Sequence, residues 1–179
     1  MRHAIITGGA GFIGSHLVDR LLAEGGWRVT VIDNFDPFYP RAMKEANMAA
    51  HLKHPDYRFI EGDILEDSVL DRAFAQKGAV VVHIAAKAGV RPSIADPIGY
   101  HRVNVTGTLK LLERARYSGV EHFVLASSSS VYGVDPNVPW KEKERGIQPI
   151  SPYAASKLAA EGFAQVYAHL HGMKVTALR

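Results

Sequence analysis

The chain has 179 residues, enough for one domain with its own core, and its 47% hydrophobic and 22% charged residues are ordinary for a soluble globular protein. It has no cysteine, which excludes disulfide, zinc–thiolate and thiol chemistry and fits a cytoplasmic setting. A formal charge of +3 without a dense basic cluster favours an anionic small ligand over nucleic acid; no apolar stretch is long enough to span a bilayer, and no signal-peptide pattern precedes the first strand.

The short apolar run Ala4-Ile5-Ile6 reads as a buried strand, and Thr7-Gly8-Gly9-Ala10-Gly11-Phe12-Ile13-Gly14 follows it. Phe12, Ile13, Leu17, Leu21 and Leu22 then recur at helical spacing, which predicts a helix with one apolar face. Strand, glycine turn and helix are the setting in which such glycines bind a dinucleotide. Gly8 and Gly9 supply the backbone angles of a tight turn, Gly11 lets a pyrophosphate approach, and Gly14 lets helix and strand pack closely. The free N–H groups at the helix start face the phosphates. The alternative is a glycine-rich turn that binds nothing.

A second apolar run, Val29-Thr30-Val31-Ile32, ends in Asp33, roughly 20 residues past the glycines, where an acid binds the adenosine ribose. A carboxylate there repels the extra phosphate of NADP, so NAD is favoured; the other reading makes Asp33 a turn residue with Asn34. Residues 34–40 either cover the adenosine or form an ordinary surface loop. A helix is expected over 41–53, a strand over 57–60 and another helix over 65–75. Asp63 lies just past the third strand, placed to accept from the adenine amino group or, alternatively, to start the next helix with Glu66 as its capping-box partner.

Residues 79–84 are almost continuously apolar, as in a parallel strand covered on both faces, with His83 packed rather than catalytic. The small residues of Ala85-Ala86-Lys87-Ala88-Gly89 permit close approach of a cofactor, and Arg91 is either a bidentate ligand for phosphate or carboxylate or a surface charge. A long helix is expected over 96–118, closed by Gly119. Asn104 is polar on its apolar face and needs partners, so it is expected to bridge two backbone loops near the cofactor. A fifth strand over 122–126 delivers Ser127, Ser128, Ser129 and Ser130, as hydrogen-bonding groups at the crevice rim or as a plain serine-rich turn. Residues 131–150, with three prolines, are expected to shield the site. A last helix over 152–169, capped by Gly172, and a sixth strand over 173–178 complete the pattern.

Tyr153 and Lys157 are four apart on that last helix, hence on one face. A free tyrosine, with a pKa near ~10, is a poor base at neutral pH. A nearby ammonium favours the phenolate, and a serine hydroxyl sharing the substrate oxygen steadies an alkoxide. The plain alternative is a surface pair.

Thr7 through Gly14, Asp33-Asn34, Gly62-Asp63-Ile64, His83-Ile84-Ala85-Ala86, Asn104-Val105-Thr106-Gly107-Thr108, Ser127 through Gly133 and Tyr153-Ala154-Ala155-Ser156-Lys157 lie in this order along the chain. Together they resemble the NAD-dependent nucleotide-sugar epimerase/dehydratase family of extended short-chain dehydrogenase/reductases. The resemblance implies an α/β doubly wound parallel sheet, the Rossmann fold, with strand order 3-2-1-4-5-6. Position by position, it implies Ser128, Tyr153 and Lys157 as the catalytic triad. For NAD it implies Gly8, Gly11, Phe12, Ile13, Gly14, Asp33, Asn34, Asp63, Ile64, Ala85, Ala86, Lys87, Asn104, Tyr153 and Lys157. For substrate it implies Arg91, Ser128, Ser129, Ser130 and Tyr153; no metal is implied. Lys87 stands where the family has glutamine.

Sugar 4,6-dehydratases and UDP-glucuronate decarboxylases of this family carry an acid between the catalytic hydroxyl and Val-Tyr-Gly. Here Ser129 and Ser130 stand there, which favours simple epimerisation. Residues 33–39, 88–91 and 127–133 look most like UDP-glucuronate 4-epimerases, and the two serines suit a sugar carboxylate. The implied cycle has Tyr153 take the proton of the 4-hydroxyl, hydride pass from C4 to NAD, the 4-keto sugar turn over, and hydride return to its other face. The resemblance further implies a homodimer through a four-helix bundle of residues 96–118 and 152–169. Family members continue past a Leu-Arg strand end, so residues 1–179 are expected to be the NAD-binding domain alone, without the C-terminal substrate region. UDP-glucose/galactose 4-epimerase, another nucleotide-sugar dehydratase or decarboxylase, and a non-catalytic NAD-binding regulator are the rival expectations.

Overall fold

Apolar runs, with successive side chains on opposite faces, build one sheet whose inner strands are covered on both faces. In the computed structural model, residues 1–134, 136, 138–143 and 148–179 are described. Six strands occur among them: β1 (Arg2–Thr7), β2 (Trp27–Asp33), β3 (Tyr57–Glu61), β4 (Ala79–His83), β5 (His122–Ala126) and β6 (Val175–Leu178). All pairings are parallel, in the order β3-β2-β1-β4-β5-β6, as expected. Ala4 and Ile6 of β1 face one core with Val29, Val31 and Val18, while Ile5 faces the other with Ile32, Val81 and Phe123. That period of two explains why the runs are apolar throughout.

The helices divide accordingly. α1 (Phe12–Glu24) covers the first core, with α2 (Arg41–Met48) beside it. α3 (Asp67–Ala73), α6 (Thr108–Tyr117) and α7 (Pro152–His171) cover the second, and α4 (Val90–Ala95) and α5 (Pro97–His101) pack on α7. From β1 the chain winds outward through β2 and β3, then returns to add β4, β5 and β6 on the other side. The reversal between β1 and β4 opens a crevice at the carboxyl ends of the strands. No helix among the described residues is long and apolar enough to cross a membrane.

Several local expectations are corrected. Phe12 and Ile13, placed by periodicity on the apolar face of α1, are 69% and 64% exposed; the buried side is Gly14, Ser15 and Val18. They belong to the first turn, which overhangs the crevice rather than the core. The helix expected over 41–53 stops at Met48, and a 3-10 turn covers His51–Lys53. The helix expected over 65–75 is shorter, and Asp63 does not form a capping box, because the cap position is Glu66. The helix expected over 96–118 is α5 and α6 joined by a π-helical stretch, Arg102–Gly107. α4 was not expected. Ser93 is its one buried residue and Ile94 points outward, so it carries no amphipathic signal.

His83 is packed, as expected, and its bonds show why. Thr108 Oγ1 donates its only hydrogen to Asn104 O (2.6 Å), so His83 Nε2 must donate to Thr108 (2.9 Å). Nδ1 therefore accepts from Thr7 Oγ1 (2.7 Å), whose lone pairs take the Ile84 and Ala85 N–H groups (3.2 and 3.1 Å). Burial, with the Lys157 charge adding to it, pushes the imidazole down to about 3, so it stays neutral. This closed network ties the end of β1 to the loop after β4 and to α6.

Candidate active site

The first part of the crevice is the glycine turn. Gly8 has φ +74°, and a Cβ there would lie 2.8 Å from Ala85 N, so β1 and the β4 loop approach closely enough to exclude any side chain. A Cβ at Gly14 would meet Gly8 O at 2.3 Å, so the helix seats directly on the turn, as expected. Gly9 was expected to supply unusual backbone angles, but its φ is not positive; it makes room for Val31, whose Cγ1 would lie 2.6 Å from a Cβ. α1 starts after Gly11 with no side-chain cap, leaving first-turn N–H groups directed at the cleft.

Asp33 organises the second part. Buried at the end of β2, it accepts from Ala10 N (3.1 Å) on Oδ2 and from Phe35 N (2.9 Å) and Lys44 Nζ (3.2 Å) on Oδ1. It makes the turn, and it also lines the cleft. Two oxygens offer about four acceptor sites, so with three protein donors one remains open. Asn34 Nδ2 donates to Asp63 Oδ2 (3.0 Å), joining two of the expected cofactor residues. The loop beyond is a chain of Asx turns, Asn34 to Asp36 N and Asp36 to Phe38 N, each 3.0 Å. It carries Asp36, Phe38 and Tyr39 over the cleft, and Phe35 takes the left-handed φ of +54° to let it turn.

α7 builds the third part. Ser151 Oγ accepts from Ala154 N (3.1 Å), and Pro152 starts the helix, so Tyr153 stands in the first turn at the crevice mouth. Tyr100 meets its ring edge-on, centroids 6.3 Å apart. One turn on, Lys157 Nζ donates to Ala126 O (2.9 Å) and lies 6.0 Å from the Tyr153 ring centre. Burial alone pushes this ammonium down to about 8.

These parts share one cleft of about 290 Å³. Gly8, Gly11, Phe12, Ile13 and Gly14 line it at one end with Asp33, Asn34, Asp63 and Ile64; Ala85, Ala86 and Lys87 follow, then Tyr153 and Lys157. Asn104 does not line it. Its Oδ1 accepts from Lys87 N (2.8 Å), while Nδ2 donates to Lys87 O (3.0 Å) and Ser156 Oγ (3.0 Å). It therefore bridges one loop and α7, not two loops.

The serines are placed differently from expectation. The cleft wall reaches Ala126 and Ser127 but not Ser128, Ser129 or Ser130. Ser128 caps a 3-10 turn over Ser129–Tyr132: its Oγ accepts from Ser130 N and donates to Ser130 Oγ, both at 3.1 Å. Ser129 is exposed, and Arg91 is exposed in the first turn of α4, outside the cleft wall. In the connection over 131–150, Trp140 stacks on Tyr132; Asp135, Asn137 and residues 144–147 lie outside the described residues.

Two site residues escaped the sequence. Lys44, on the cleft wall, is buried on the same face of α2 as Met48; a lysine at apolar spacing is the signal. Glu161 is buried, accepts from Ser127 Oγ, and is paired bidentately with Arg179 (2.7 and 3.0 Å). Its signal was the four-residue spacing from Lys157.

The model of the NAD dependent epimerase/dehydratase family matches residues 4–179. The chain belongs to that family. UDP-glucuronate 4-epimerase 3 of Arabidopsis thaliana is 39% identical over 177 residues, covering 98% of this chain and 41% of that protein. The crystal structure of UDP-glucuronic acid 4-epimerase from Bacillus cereus, in complex with UDP-glucuronic acid and NAD, superposes with a TM-score of 0.91 at 33% identity over 99% of this chain and 55% of that one. UDP-glucose 4-epimerase of Thermus thermophilus, in complex with NAD, gives 0.83 at 37% identity over 99% and 54%. The chain thus spans about half the length of these family members.

The buried Lys157 charge makes a prediction about stability. Its folded value of about 8 lies below the unfolded value of ~10.4, so between these limits the unfolded state binds more protons and stability rises with pH. At pH 7 the charged form costs about 3 kcal/mol relative to an unburied lysine. In the full-length, cofactor-free protein, the melting temperature of Lys157→Met minus wild type is expected to fall steadily from pH 7 to pH 10. A difference that does not change with pH contradicts the burial of a charged ammonium.

Proposed function

We propose that the full-length protein is an NAD-dependent nucleotide-sugar 4-epimerase that interconverts UDP-glucuronate and UDP-galacturonate. The observation that carries this is the single cleft shared by the glycine turn, Asp33, Tyr153 and Lys157. The residues fit NAD: bare first-turn N–H groups and the excluded Cβ at Gly8 suit a pyrophosphate, and Asp33 keeps one free acceptor for ribose. When bound, NAD supplies a reversible hydride acceptor for the sugar carbon.

The chain's own residues do the proton work. Tyr153 takes the proton of the sugar 4-hydroxyl and returns it after the ketone has turned over. The Lys157 charge favours the phenolate, and its spare N–H groups, with one committed to Ala126 O, serve the nicotinamide ribose. Ser128 releases its bond to Ser130 Oγ to share the substrate oxygen. Positions 129 and 130 carry hydroxyls and no carboxylic acid, which supports epimerisation over loss of water. The identities with UDP-glucuronate 4-epimerases point the same way. UDP-glucose/galactose is the second reading, favoured by the Thermus thermophilus likeness.

Full-length protein given UDP-glucuronate is expected to form UDP-galacturonate, resolved by chromatography. Tyr153→Phe is expected to lower kcat by at least ~10²-fold with NAD still bound. Absence of galacturonate, with turnover of UDP-glucose instead, overturns the substrate assignment; full activity in the phenylalanine variant overturns the base assignment.

A second copy of the chain is proposed to cover α6 and α7. Phe163, Val166 and Leu170 recur at helical spacing on α7 and are exposed, as is Tyr117 at the end of α6. Sedimentation is expected to give a dimer that Val166→Glu with Leu170→Glu converts to a monomer; an unchanged mass in that variant contradicts this face as the interface.

A further inference from the structure

The ammonium of Lys87 has no part in the chemistry described above, although its main chain is among the most constrained in the cleft. Asn104 holds both its N–H (2.8 Å) and its carbonyl (3.0 Å). From that fixed point the side chain runs past the face of Tyr100, Nζ 5.7 Å from the ring centre, and ends 3.4 Å from Asp96 Oδ2. Tyr100 is itself buried, donates its hydroxyl to Ala88 O, and meets Tyr153 edge-on. Lys87 therefore belongs to the Tyr153 end of the cleft.

Three cations line this cleft among the described residues: Lys44, Lys87 and Lys157. Lys44 and Lys157 are buried and bonded to Asp33 and to Ala126 O. Lys87 differs. Its side chain is 30% exposed and its partner carboxylate 51% exposed, an ion pair of the solvated kind that contributes little and exchanges readily. Asp96 also has a second role, because its Oδ1 caps α5 by accepting from Gly99 N (3.0 Å). Losing the lysine would not leave Asp96 without a partner. A flexible stem bearing a compact charge with three donors is suited to such an exchange.

We propose that Lys87 is a substrate-binding residue whose ammonium leaves Asp96 to bind an anionic oxygen of the sugar nucleotide beside Tyr153. The inference rests on the nucleotide-sugar reading above and extends it. The oxygen belongs to the diphosphate or to a sugar carboxylate, and the two sources are separable.

The test uses NAD-loaded full-length protein in the Tyr153→Phe background, which holds both ligands without turnover, and calorimetric titration with UDP-glucuronate and with UDP-glucose. Lys87→Gln keeps the main-chain bonds to Asn104 and removes the charge. It is expected to weaken sugar-nucleotide binding about tenfold, the loss of one charge-assisted contact. Asp96→Asn keeps a capping side chain and frees the ammonium, so it is expected to tighten binding. An equal loss for both ligands assigns the diphosphate; a loss confined to UDP-glucuronate assigns the carboxylate. Unchanged sugar-nucleotide binding in Lys87→Gln, or a loss that appears only for NAD, overturns the proposal. Binding is read without turnover, so a protein that binds both ligands but makes no galacturonate defeats the epimerase reading while leaving the Lys87 comparison decisive.

Discussion

The site depends on a buried ammonium donating to the last carbonyl of a central strand. Lys157 on α7 reaches Ala126 O at the end of β5, and one turn later Glu161 accepts from Ser127 Oγ. Two charged groups on one helix face thus grip consecutive residues of the strand end. Arg179, following β6, pairs with Glu161 and reaches Glu142 O in the connection over 131–150. Breaking such a buried pair strands a charge, so the helix has one low-energy position against the sheet. Tyr153, one turn before Lys157, is held at the crevice mouth by that position, and the Ser151 cap and Pro152 determine where the helix begins.

The opposite end of the cleft follows the same physics. Asp33 takes three protein donors, and the Thr7–His83–Thr108 chain leaves none of its hydroxyl or imidazole groups unpaired. Polar groups at the carboxyl ends of parallel strands are tolerated in the interior because each is hydrogen-bonded. The positive φ at Phe35 is part of this arrangement: the Phe35 N–H bonds to Asp33, and the following loop is turned over the cleft.

Much of this was legible in residues 1–179, and for definite reasons. Apolar runs announced the strands, and the family resemblance implied their winding. Asp33 and the Tyr153–Lys157 pair were visible because one ends a strand and the other shares a helix face. What stayed hidden depends on tertiary context. α4 buries only Ser93, and the π-helical stretch keeps a helical pattern while shifting Asn104 toward Lys87 and Ser156. Lys44 and Glu161 look like surface charges in a sequence and acquire their roles from partners far along the chain, Asp33 and Arg179. Ser128 has the expected position at the strand end, but its hydroxyl direction is decided by a short 3-10 turn that composition does not reveal.

The proposed function requires Tyr153 to take the hydroxyl proton, and a nicotinamide the hydride, at one sugar carbon. The most direct measurement is rapid mixing of NAD-loaded full-length protein with UDP-glucuronate while the absorbance of reduced nicotinamide is followed. The expected result is a transient rise that decays as galacturonate appears and is abolished in Tyr153→Phe. Product formed by wild-type protein with no reduced nicotinamide at any time, or an undiminished transient in the phenylalanine variant, would contradict it.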